Sequence, residues 1–408
     1  MQTRLFNTIV ALNAVSALAH FAQFGVLYPL VLLWLTARGV PAWEVGLVGS
    51  VFWCGMLVGS ISSPALMHRF GPRFLLVLAA ILTALAALVM PQLTTAPRLL
   101  PVWMVWGLVG SLVGVATGLR WVANESWLYS LVSQDNRGRI VGWHETLIYA
   151  AQTLGPLLVT AAGMASTASF YWAAAIVLMC IPVAFLAVVP MPAAAMASEP
   201  PSPWLVLRSV WAGFTSARQG MGARVGLWAG LVDGVLFGMF AVYCTQRGLS
   251  GETAAWLMVV FGAGGLLSSV PLGLLSDARG VFFVLRCTCI AGFAAAGLML
   301  LAPTLWWGAL LWLAAALLGV VACAGLTLAI IVTTQDATQN QRDMGQAISE
   351  VSLAFTLGTI VGPALAGALL DAAGVNAYTA LVVVLCGIGL AMKAATVQPI
   401  AVAGSRPQ

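Results

Sequence analysis

The sequence predicts an all-α polytopic membrane protein, with twelve transmembrane helices in two pseudo-symmetric six-helix bundles. Three observations carry this prediction. The 408 residues are 61% hydrophobic and only 7% charged, whereas a soluble domain is nearer half apolar and a quarter charged. Apolar runs long enough to cross a bilayer as a helix recur along the whole chain. These runs are unbroken, as in "LLVLAAILTALAALVM", so they do not fit the short alternating strands of a membrane barrel.

The apolar runs place helices at about 6–35, 44–66, 74–92, 101–129, 139–163, 169–190, 222–245, 253–275, 281–302, 304–332, 345–371 and 376–397. Only Arg4 precedes the first run, which is too long for the core of a cleavable signal and reads as a span. The longest polar interruption, rich in Pro, Ala and Ser, separates an N-terminal bundle (1–190) from a C-terminal bundle (222–408) through a linker (191–221). With both termini cytoplasmic, only Arg38, Arg98 and Arg247 fall outside and Arg120 falls within a helix. Every other Lys and Arg is then inside, a strong positive-inside signal.

The halves repeat in register. At an offset of 209, "GVLY" (25–28) meets "GVLF" (234–237) and "TARGV" (36–40) meets "TQRGL" (245–249). At an offset of 207, Gly138 meets Gly345, and Gly155-Pro156 meets Gly362-Pro363. Shared hydrophobicity alone would not hold register through loops. Two repeated bundles are a transporter architecture, with the site expected near the midplane between them.

The loop between helices 2 and 3 reads "PALMHRFGPR", and the corresponding second-half loop "GLLSDARG". These resemble the G-x-x-x-D-R-x-G-R-R loop of the major facilitator superfamily. Arg69, Gly71 and Arg73 match, His68 stands at the acidic position, and Asp277, Arg279 and Gly280 stand in the second copy. The loop "SQDNRGRIVG", with Arg137 and Arg139, is close to the family's R-G-R run. Gly155-Pro156 and Gly362-Pro363 look like the G-P core found in antiporter branches. Trp106 stands where many drug/proton antiporters carry an arginine, so the likeness does not extend to that route. The run "ESWLYSLVSQDNRGR" resembles poorly characterised bacterial efflux-type members. The resemblance implies alternating access, export, and gate roles for these loop residues, and it covers essentially the whole chain.

Charge inside a bilayer is costly and usually faces a partner or a wet cavity. Asp233 is the deepest acid, about eleven residues or roughly 16 Å into helix 7 at 1.5 Å per residue. Phe237 and Phe240 follow it at helical spacing. It reads as a substrate or proton site, or as an inter-helix hydrogen bond. Asn13, Ser16, His20 and Gln23 make a polar stripe on helix 1, and an unperturbed histidine is a natural proton carrier. On helix 4, Thr117, Arg120, Asn124 and Trp127 share a face, where Arg120 would hold an anionic solute or bond helix 5. Glu145, Tyr149 and Gln152 line one face of helix 5. Glu125 lies level with Glu145, and two carboxylates there would share a proton or bracket Arg120. Glu125 and Glu350 also read as gate-pairing or solvated groups. Trp34, Trp43, Trp103, Trp306 and Trp307 fall at the predicted outer interface, where an aromatic belt is ordinary.

These features point to a secondary transporter of a small amphipathic or zwitterionic organic solute in the bacterial inner membrane. It is expected to be a monomer with protons as a possible coupling ion. The alternative reading is a proton-coupled importer of an organic acid or metallophore. No P-loop, H-E-x-x-H or G-x-S-x-G run is present, so ATP-driven transport and membrane-embedded hydrolysis are not indicated. The seven cysteines lie in or beside apolar segments and read as packing residues rather than metal ligands. No cofactor is expected. The basic balance of +5 forms no cluster that would suggest nucleic acid.

Overall fold

The computed structural model describes residues 2–93, 100–132, 134–163, 166–192, 208, 221–302, 307–339 and 344–392. The predicted linker lies almost wholly outside the described residues. Among the described residues there is no strand. The helices are α1 (2–36), α2 (Ala42–Phe70), α3 (Pro72–Leu93), α4 (Val102–Ser130), α5 (Gln134–Ala162), α6 (Ala168–Phe185), α7 (Met221–Gln246), α8 (Gly251–Arg279), α9 (Val281–Leu301), α10 (Trp307–Gln339), α11 (344–373) and α12 (375–391).

Among the described residues, ten helical segments are long and apolar enough to span a bilayer. The count reaches twelve for two physical reasons. The first half of α5 is too polar to qualify on composition. The segment Glu350–Ala391 is one apolar stretch that bends at Gly374, where φ is +74°, so it makes two crossings. One end of the bundle carries the start of α1, the end of α12 and the turns at Gly71 and Gly280. The other, the loop end, carries the turns at 37–41, 247–250 and 374.

The repeat seen in sequence is built into the packing. In the first half α1 and α5 meet at Gly25 and Gly155, where a β-carbon on either would overlap the other's backbone. In the second half α7 and α11 meet in the same way at Gly234 and Gly362. Gly55 lies against Ser111 where α2 crosses α4, and Gly264 lies against Ala316 where α8 crosses α10. Small residues at such crossings let backbones approach closely, which is how helices associate where lipid offers no hydrophobic drive. Gly71 and Gly280 end α2 and α8 at φ of +80° and +87°, a region that a β-carbon disfavours. This gives the two loop motifs a shared physical reason for their glycine.

α1 is not uniform. Phe21–Leu27 is a π-helical turn between α-helical segments, a feature often found at functional sites. Its extra residue rotates the remainder of the helix. Gln23 therefore leaves the polar stripe and donates to Thr83 Oγ1 of α3 at 2.8 Å, while Phe24 and Tyr28 turn toward the second half. α6 also breaks, at Met179, and ends at Phe185 rather than near residue 190.

Candidate functional site

Among the described residues, the two halves meet closely at the loop end. Asp371 of α11 accepts hydrogen bonds from the backbone N–H groups of Ala42 (3.1 Å) and Trp43 (2.8 Å) at the start of α2. The N–H of Ala364 donates to Ser50 Oγ at 3.1 Å. Gly46 and Gly367 place α2 against α11 with no room for a side chain, and Gly262 of α8 packs on Thr153 of α5. The seam is therefore closed at one end by backbone contact, and its middle is where polar side chains gather.

Four helices bring the mid-seam groups together. Asp233 of α7 is half-buried. It lies within electrostatic range of Tyr28 on α1, Tyr149 on α5 and Cys323 on α10. Tyr149 and Cys323 also lie within electrostatic range of each other across the halves. Phe237, one turn from Asp233, stacks on Tyr28 with ring centroids 5.3 Å apart and an interplanar angle of 6°. Trp53 Nε1 donates to the Tyr28 hydroxyl at 3.2 Å. Phe24 extends the wall to Phe52, Trp53 and Trp121. An apolar cleft adjoins Tyr28, lined by Leu27, Val31, Val48 and Met90. The arrangement is an acid beside two phenols at the edge of an aromatic wall. It suits a solute with an apolar body and a cationic or hydrogen-bond-donating group.

A second polar group lies within the first half. Asn124 Nδ2 donates to Ser16 Oγ at 2.8 Å, and Arg120 Nη1 reaches the same oxygen at 3.3 Å. His20 is buried with Nδ1 at 3.0 Å from the Ser16 carbonyl and its ring against Phe24 and Trp121. His144 is fully buried; its Nδ1 is 3.0 Å from Asn13 Oδ1 and its Nε2 is 3.9 Å from Glu125 Oε1. Glu125 is within electrostatic range of both Glu145 and Arg120. Sequence reasoning passed over His144. Its signal was the asparagine at position 13 on the stripe it faces, which needs a partner.

Other sequence candidates are placed differently. Phe240 is buried against Tyr243 and Phe261 inside the second half, away from the partners of Phe237. A difference of about 60° around α7, three residues at 3.6 per turn, separates the seam from the core. Gln23 bonds α3, as described. Gln152 is half-buried on α5, and its carbonyl lies at the α1 crossing. Arg73 donates through Nη2 to the Ala187 carbonyl at 2.6 Å and lies near Trp127 and Phe185. It is thus held within its own half. His68, Arg69, Asp277 and Arg279 are exposed, and the two arginines rest over Phe70 and Phe283. Glu350 is buried. The side chains of Arg137 and Arg139 lie outside the described residues. Pro156 and Pro363 are buried beside their glycines, and Pro363 packs on Gly46, Gly49 and Gly238. Trp34 is a correction to the aromatic-belt reading. It is 1% exposed, packed edge-on against Phe170 and covered by the Arg38 guanidinium.

Comparison with known proteins agrees with this architecture. The sequence profile of the Major Facilitator Superfamily matches residues 14–342 and 225–407. An "Uncharacterized MFS-type transporter YcaD" from Escherichia fergusonii is 26% identical over 352 residues, covering 85% of each chain. A similarly described transporter, YE1530 from Yersinia enterocolitica, is 25% identical over 378 residues, covering 90% of each. Among solved structures, the nucleoside transporter NupG superposes with a TM-score of 0.72 at 14% identity, covering 94% of this chain and 96% of that one. A bacterial homologue of the human lysosomal transporter Spinster, inward-facing and unoccupied, gives a TM-score of 0.68 at 15% identity, covering 96% of each chain. At these identities the structural likeness speaks to the fold.

Proposed function

The chain belongs to the major facilitator superfamily, and from that premise we propose that it exports a small amphipathic or zwitterionic organic solute across the bacterial inner membrane by alternating access. That it is a multi-pass membrane transporter rather than an enzyme follows from the family and its relatives. The finer reading rests on one observation. Asp233 sits at the middle of the seam with Tyr28, Tyr149 and Cys323, so helices from both halves converge on one acid. A site shared by both halves changes its access when the halves rock.

The positive-inside bias favours cytoplasmic termini and a cytoplasmic linker between bundles 1–190 and 222–408. On that assignment the closed loop end faces outward. The exposed Asp277 and Arg279 then lie at the cytoplasmic end, where the loop resemblance places a gate. Export is the direction that the G-P resemblance favours. A monomer with one seam is sufficient for this cycle. Asp233 is the group best placed to exchange a proton for solute.

The test is counterflow in proteoliposomes, using solutes first selected by thermal shift of the purified protein. Asp233→Asn should abolish counterflow while leaving expression and monodispersity unchanged. Wild-type flux in that variant would remove the acid from the mechanism.

A further inference from the structure

We propose that Arg120, with Asn124 and Ser16, forms an anion subsite that takes the carboxylate of an apolar or aromatic acid. The inference rests on the transporter reading and names one end of the solute. Arg120 is 2% exposed, and a charge within the bilayer is costly unless it is paired. Its guanidinium carries five donors. Its one described hydrogen bond is the 3.3 Å contact from Nη1 to Ser16 Oγ, and Nε and Nη2 have no partner. Those two nitrogens form one edge of the fork, the edge that matches the two oxygens of a carboxylate.

Among the described residues no carboxylate bonds Arg120. The titratable groups within range of Arg120 are Glu125 and Cys180, together with His20 and His144. Glu125 is the acid among them, and its Oε1 faces His144 Nε2 at 3.9 Å instead. Asn124 shares the serine oxygen with Arg120 but brings no charge, and its own Oδ1 has no partner. A buried, half-satisfied polar group of this kind is costly as it stands. The wall beside it defines the rest of the ligand. His20 packs on Trp121 at 5.2 Å and on Phe24 at 5.4 Å, and Phe24 reaches Phe237 on α7 at 6.4 Å. An acid seated on Arg120 would lay its apolar body along these rings toward the seam.

The experiment uses the full chain, purified in lipid nanodiscs. Thermal unfolding is followed with indole-3-acetate, benzoate and octanoate, each beside its neutral amide, and with inorganic phosphate. At saturating acid the midpoint should rise by about 2 °C, with no shift from amides or phosphate. Arg120→Lys should weaken the acid about tenfold, because a point charge replaces the fork. Arg120→Gln should lose the shift. Asn124→Asp keeps Arg120 but gives it a resident carboxylate one turn away; it should raise the ligand-free midpoint and also lose the shift. Equal shifts with acid and amide, a phosphate shift matching the acids, no shift in wild type, or an acid shift retained in Asn124→Asp would each overturn the subsite. Counterflow run in parallel separates the two ideas. Counterflow of other solutes without an acid shift leaves the transporter reading standing and removes the subsite. An acid shift lost in Asn124→Asp, with no counterflow of any solute, does the reverse.

Discussion

Replacing Asp371 with Ala should open the loop end of the seam. The carboxylate accepts two backbone hydrogen bonds at the first turn of α2, at 3.1 and 2.8 Å, from across the seam. An acid at a helix N-terminus contributes about 0.3–1 kcal/mol when exposed and up to about 2 kcal/mol when partly buried. This site is intermediate, since one bond is part-buried and the other exposed; about 1–2 kcal/mol is the working figure. The contact exists only while the halves touch at this end, so its loss falls wholly on the closed state. At tenfold per about 1.4 kcal/mol, the equilibrium moves roughly 5- to 30-fold toward opening. The readout is the labelling rate of Ser50→Cys by a membrane-impermeant maleimide, with exposed Cys54 replaced. Position 50 sits in the same α2–α11 contact through Ala364. The rate should rise about tenfold, by the same arithmetic, in Asp371→Ala, and less in Asp371→Asn, which keeps one acceptor oxygen. An unchanged rate in the alanine variant would refute the latch.

Gly155→Val should overlap the Gly25 backbone and destabilise the first bundle by about 1–3 kcal/mol, read as a lower unfolding midpoint; an unchanged midpoint would mean that α1 and α5 can part freely. Gly71→Ala must place a β-carbon at φ of +80°, costing about 1–2 kcal/mol; the same substitution at Gly273, which has open space around it and ordinary helical backbone, is the control and should be nearly silent. Asp277→Asn should shift accessibility toward opening at the terminal end, measured by cysteine labelling on both faces, and equal labelling of variant and wild type would remove Asp277 from the gate.

The features legible in the sequence are the periodic ones. Long apolar runs gave the spans, α5 least plainly because its first half is polar, since a bilayer forces each helix to satisfy its own backbone. The register of the repeat aligned Gly25 with Gly234 and Gly155 with Gly362; that Gly25 meets Gly155 and Gly234 meets Gly362 was visible only in the structure. The limits have physical causes too. A stripe drawn at regular helical spacing carried Gln23 along with His20, but the π turn at Phe21–Leu27 breaks that spacing, and no composition signal marks such a turn. Phe240 was grouped with Phe237 because spacing reports a face of one helix, not the neighbour it meets. Asp371 was invisible as a contact because its partners are backbone N–H groups more than 300 residues away, which no side-chain pattern encodes. His144 was overshadowed by Glu145, though the buried ring is the member that joins α5 to α1 and α4.

The repeat and the departures from it play different parts. Glycine crossings recur in both halves, so each half can move as a unit about the seam. The polar groups do not recur. The first half holds Ser16, His20, Arg120 and Asn124 in one bonded cluster, and Asn13 bonded to His144. At the 207 offset, Arg120 meets Thr327, Asn124 meets Ile331 and His144 meets Val351, so the second half has no such cluster. It contributes Asp233 and Phe237 to the seam instead. A symmetric scaffold explains how access alternates; a solute that is recognised must be gripped by the unlike residues. On this argument, grafting Arg120 and Asn124 out of the first half, as Arg120→Thr with Asn124→Ile, should leave the fold and the seam contacts in place. It should erase solute-dependent thermal shifts for acids. Retained acid shifts in that double variant would show that recognition does not depend on the asymmetry.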